Sequence, residues 1–232
     1  QPPLEPVRAE SEPRGHSFDD PDTFTAYVKK YGGKDTVILA DVGTLSIRAV
    51  LNEQAEKGRE TVTLDPRFHP LLIPWKRDVI DMKLSPFVFA DFVLAHRRQV
   101  EDPEPIQLAL LMSQIRVSKD IKIDQGQGKK AINGIVATTE FQGNINEKVV
   151  ELPDYIKIKC PVFYDRSDRE IQIDVTTQVK GETCVLYCTS SDLETLILEE
   201  MESIVSLVKN QLDKAEMIVG LGNTIYHNWK YV

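Results

Sequence analysis

An α+β fold is predicted by three observations. Strict period-2 alternation marks two neighbouring segments: Ile156, Ile158 and Cys160 against Lys157 and Lys159, then Ile171, Ile173 and Val175. A long stretch from about Ser191 to Asp213 carries apolar residues on one helical side, among them Leu193, Leu196, Ile197, Ile204, Val205, Val208 and Leu212. Two helix starts are written as a capping residue followed by proline, at Asp20-Pro21 and Ser85-Pro86. Helix, strands, helices, antiparallel strands and a last helix follow in blocks rather than in βαβ alternation.

Each element has a local reason. Residues 1–14 (QPPLEPVRAESEPR) are rich in proline and charge and read as a tail, and 15–18 as a short strand. The helix that Asp20 caps runs to about Tyr31, with Phe24, Tyr27 and Val28 on one face, and Gly32 and Gly33 stop it. TVILA, SIRAVLN and RETVTLD are β-rich, with Asp41 opening a turn between the first two. Residues 65–85 hold three prolines and no clean period, which predicts irregular chain with a short helix near Trp75. The helix from Pro86 carries Phe89, Phe92, Val93 and His96 on one face, with Phe87 and Val88 broadening the stripe. Another helix is predicted from Ile106 to about Arg116. Strands follow on either side of the glycine loop QGQGK, and then at 155–163, 169–179 and 183–189. The long helix after them is expected to cover that antiparallel sheet. The predicted organisation is thus a tail at 1–14, one α+β domain at 15–216 with 15–116 and 117–216 as candidate subdomains, and an extension at 217–232.

Composition narrows the function. With 232 residues, 41% hydrophobic and 28% charged, the chain has the make-up of a globular protein. Its net charge of −8 disfavours a broad electrostatic footprint on phosphates, a local basic patch excepted. No apolar run approaches the length needed to span a bilayer, and no membrane partner is expected. Cys160, Cys184 and Cys188 are too few for a disulfide framework. The last two sit in one predicted strand, about 13 Å apart at ~3.3 Å per residue, beyond disulfide reach.

Catalytic signatures are missing from the sequence. His16, His69, His96 and His227 are scattered, and no serine occupies a nucleophile elbow. Asp19, Asp20 and Asp22 are explained by helix capping, and Asp165, Asp168 and Asp174 lack the glycine and closing glutamate of a calcium loop. The glycines of DQGQGKK and IVGLGNT match neither a P-loop nor a dinucleotide fingerprint. No cofactor and no metal are expected. The remaining handle is basic and aromatic: Trp75, Lys76 and Arg77 in the irregular segment, and Lys129 and Lys130 at the hairpin tip. Stacking plus charge is how single-stranded nucleic acid is held without sequence preference.

Five stretches carry a resemblance: DPDTFTAYVKKY with TVILAD; TVTLD with WKR; SPFVFADFV; LALLMSQIRVSKDIKI; and LPDYIKIKCPVF with the closing strands and helix. Together, over about 13–216, they resemble the YfdQ-like proteins of tailed phages and prophages, a domain of unknown function. The family commonly continues upstream of Gln1, so the resemblance implies a trimmed start. It also commonly carries a tryptophan-arginine-aspartate-histidine stretch where this chain has KGRET. The resemblance implies a phage-encoded protein of the early region, in the bacterial cytoplasm, and brings no catalytic residues. The leading expectation is a non-enzymatic accessory protein that contacts a phage or host protein. The alternative is a recombination or replication factor that binds single strands weakly through Trp75, Lys76, Arg77, Lys129 and Lys130. A third, an enzyme, requires a pocket where His69 or Asp41 meets other polar groups.

Overall fold

Asp20 begins the first helix, α1 (Pro21–Tyr31), by accepting from the backbone N–H groups of Asp22 (3.4 Å) and Thr23 (2.6 Å). Burial alone would raise its carboxyl pKa, but the Thr23 and Asp22 hydrogen bonds outweigh burial and hold it below the usual value. At the other end the Gly32 N–H reaches the Val28 carbonyl at 2.7 Å, and a Cβ on Gly32 would lie 2.5 Å from that oxygen. Only glycine fits there. Phe24, Thr25 and Val28 point inward.

The computed structural model describes residues 15–53, 60–117, 135–141, 144–149, 152–180, 183–212 and 216–220. It divides into two units, one from the described residues of 1–67 and 196–232 and the other from those of 68–195. The fold is α+β, and the long C-terminal helix packs on sheet.

In the first unit the strands are β1 (Gly15–Phe18), β2 (Val37–Asp41), β3 (Ser46–Val50), β4 (Thr61–Leu64) and β13 (Glu216–Gly220), in the order β1-β4-β3-β2-β13. The middle three are antiparallel, whereas β1 joins β4 and β13 joins β2 in parallel. The run from 217, set apart in the sequence as an extension, thus supplies an edge strand. Helix α5 (Ser191–Gln211) belongs to this unit from Leu196 onward. Met201, Ile204 and Val208 are buried, as are Phe24, Ile38, Ile47, Val62 and Leu64. Gln211 anchors the helix end to α1: it accepts from the Thr25 hydroxyl and donates to Asp22 at 2.8 Å.

The second unit is built on an antiparallel sheet in the order β5-β12-β11-β10-β6, comprising β5 (Lys83–Leu84), β6 (Val100–Asp102), β10 (Tyr155–Pro161), β11 (Asp168–Lys180) and β12 (Thr183–Thr189). The alternation read in the sequence sets its register. Ile156 faces Ile173 and Ile158 faces Ile171, all fully buried. On the wet side Lys157 reaches Glu170 at 2.7 Å and Lys159 lies 3.5 Å from Glu101. Helices α2 (Ile73–Asp78), α3 (Pro86–Ala95) and α4 (Pro105–Gln114) alternate with β5 and β6 and precede β10. Helix α4 stops at Gln114, because Ile115–Val117 forms β7, which pairs with β8 (Ile135–Phe141) and through it with β9 (Asn144–Val149). The predicted hairpin loop, with Lys129 and Lys130, lies outside the described residues.

Candidate functional site

The Trp75, Lys76 and Arg77 trio sits on α2, where consecutive residues point about 100° apart at 3.6 residues per turn. The three therefore separate. Trp75 is fully buried and its indole N–H donates to Gln99 Oε1 at 2.6 Å. Its ring meets Phe92 edge-on at 4.8 Å and His96 at 6.0 Å. A buried indole cannot stack on a base, so the expected stacking platform is corrected to a core anchor. Gln99, itself buried, completes the arrangement by reaching the Leu71 carbonyl at 3.4 Å.

Lys76 turns the other way. Its Nζ sits 3.8 Å from the centre of the Phe68 ring, and Phe68 in turn stacks on Phe163 at 5.2 Å. Burial pulls the ammonium pKa down, and the nearby Glu194 charge opposes that fall. Arg77 forms a two-bonded fork with Asp78, 2.7 Å at each contact. That hydrogen bonding raises the arginine pKa and lowers the aspartate pKa. Lysine and arginine are each engaged locally, so the trio presents no joint cation-and-ring surface.

The enzymatic candidates are each engaged in local structure too. Asp41, 1% exposed, accepts from the N–H groups of Gly43 (3.0 Å) and Thr44 (3.2 Å), and so shapes the β2–β3 turn in the first unit. His69 belongs to the second unit, where its Nδ1 accepts from the Leu71 N–H at 3.2 Å and its ring lies 5.5 Å from Tyr164. His96 stacks on Phe92 at 4.1 Å. Cys160 and Cys188 are buried, which pushes their thiols up to about 12, and burial also raises Cys184. Such thiols are protonated at neutral pH and are poor nucleophiles. Among the described residues no group of three His, Cys, Asp or Glu side chains is placed to hold a metal, and no helix is long and apolar enough to cross a membrane.

The most distinctive surface lies on the helix pair α3 and α4. Helix α3 buries Phe89, Ala90 and Val93, and α4 buries Leu108, Ala109 and Met112 as the two pack together. Phe87 (61% exposed), Val88 (51%) and Leu94 (40%) nevertheless point outward from α3, and Ile106 (58%) and Leu110 (57%) do so from α4. Phe87 and Val88 broaden the apolar stripe, but they lie roughly 100–200° around a 3.6-residue helix from its buried centre. The available signal was PFVFADFVLA itself, apolar on every side but Asp91, the pattern of a helix covered all round.

Fold and site together define an α+β protein whose candidate catalytic groups are tied into local structure and whose helix pair is apolar outside as well as inside. The chain belongs to the uncharacterized conserved protein family DUF2303, whose family model matches residues 5–222. No curated protein and no solved structure matches it.

Proposed function

We propose that this chain is a phage-encoded early-region accessory protein that acts by contact with another protein, through the outward sides of α3 and α4. The phage setting rests on the sequence resemblance. The contact reading rests on one observation: large apolar side chains exposed on a helix pair whose inner faces are already filled. Burying one such side chain contributes about 1.5–3 kcal/mol, so a partner covering several gains enough to offset part of the cost of association.

Affinity capture from a phage-infected host tests the reading. The wild-type protein is expected to recover one stoichiometric partner, and a Phe87→Asp/Ile106→Asp variant with an unchanged circular dichroism spectrum is expected to lose it. Background alone from the wild type, or equal recovery by both proteins, contradicts the proposal.

A further inference from the structure

The first unit carries a second feature, independent of the helix pair in the other unit. Alternate strand residues share a side, which places His16 and Phe18 together on β1. Residues four apart share a helix face, which places Tyr27 and Tyr31 together on α1. The four rings meet around Tyr27: its centroid lies 5.2 Å from His16, 5.4 Å from Phe18 and 4.5 Å from Tyr31. Each neighbour is inclined to Tyr27 by a similar angle, 46°, 48° and 44°, so the rings fan out instead of stacking flat.

A carboxylate sits within this array. Glu60 Oε1 accepts from the Tyr27 hydroxyl at 2.8 Å and lies 3.9 Å from His16 Nε2. The group is open to solvent: Tyr31 is 52% exposed, and the His16 and Glu60 side chains are 45% and 33% exposed. One cation already rests on it, since Lys30 Nζ stands 5.0 Å from the centre of the Tyr31 ring.

Aromatic faces carry negative quadrupole potential, and a carboxylate beside them adds full negative charge. Rings plus carboxylate are the chemistry that recognises an organic cation. A planar guanidinium suits this arrangement better than an ammonium, because it can lie flat on one ring while pointing N–H donors at the carboxylate. We propose that His16, Phe18, Tyr27, Tyr31 and Glu60 form a binding site for an arginine side chain presented by a partner protein. Aromatic clusters also arise as the margin of a core. That alternative explains Phe18 and Tyr27, which are half-buried, but not the exposure of Tyr31 and His16 beside an acidic group.

The test is a titration of the whole chain with N-acetyl-arginine amide, followed by the aromatic NMR resonances of His16, Tyr27 and Tyr31. N-acetyl-citrulline amide, planar and nearly isosteric but neutral, is the control. Arginine amide is expected to shift those resonances saturably and citrulline amide to leave them in place. Losing one exposed cation–π partner weakens binding by about two- to five-fold, which is the expectation for Tyr31→Ala. Glu60→Gln keeps an acceptor for Tyr27 yet removes the charge, and is expected to weaken binding at least as much. No saturable shift with arginine amide, equal shifts with citrulline amide, or wild-type affinity in both variants overturns the proposal. Unchanged circular dichroism of the variants keeps a folding defect from imitating a positive result.

Discussion

Helices α1 and α3 start alike and end up with different surroundings. Asp20 caps α1 and Ser85 caps α3, each followed directly by proline. Helix α1 then divides cleanly, with Phe24, Thr25 and Val28 inward and Lys29 and Lys30 in its exposed last turn. Helix α3 buries Pro86, Phe89, Ala90 and Val93 while showing Phe87, Val88 and Leu94 to water. Capping decides where a helix begins, and the distribution of apolar residues around it decides how many surfaces must cover it. By that measure α1 leaves only its aromatic margin at Tyr27 and Tyr31 open, whereas α3 has a whole outer side left over.

Mutation should separate the two sides of α3. Phe89→Ala removes a fully buried ring and is expected to cost about 3–5 kcal/mol in denaturant unfolding. Phe87→Ala, on the outer side, should change stability by no more than about 0.5 kcal/mol. Equal losses would mean that the outer ring is structural, and the comparison with α1 would fail.

The two caps sharpen the contrast on a smaller scale. Asp20→Ala should cost about 1 kcal/mol, the usual value of a lost cap. Its contribution should also depend on pH. The carboxyl pKa is lowered on folding, so the stabilisation is present above the unfolded value near 3.8 and is lost as pH falls through the folded value. Ser85, whose hydroxyl accepts from Val88 N–H at 3.3 Å, is a longer cap with no titrating group. Ser85→Ala should therefore cost the same at pH 3 as at pH 7, as measured by urea unfolding at both. The smallest effect belongs to Arg77→Ala. An exposed ion pair contributes little, so this variant should unfold at the wild-type urea midpoint in the same assay.

These elements also show what was legible in the sequence. Caps, glycine stops and strand alternation are local, and so α1, the start of α3 and the Ile156/Ile173 face could be read directly. The parallel pairing of β13 with β2 could not, because it joins Glu216–Gly220 to Val37–Asp41 and nothing in either stretch names the other. Trp75 misled for a related reason. Its helix is only six residues long, too short for periodicity to show which side is buried, and its polar partner Gln99 lies 24 residues away. Phe87 and Val88 broaden the apolar stripe in the sequence, but apolar character alone does not show which part of a stripe is covered. The aromatic group around Tyr27 was not legible because two of its rings, His16 and Phe18, come from a separate strand.

The most direct test of the contact surface is site-specific crosslinking. A photoactivatable phenylalanine analogue placed at position 87, on the outer side of α3, is compared with the same analogue at position 29, on the wet side of α1. On irradiation in a phage-infected host, position 87 should give one discrete adduct carrying a second protein and position 29 should give none. Matching adducts at both positions, or none at position 87, would contradict the account.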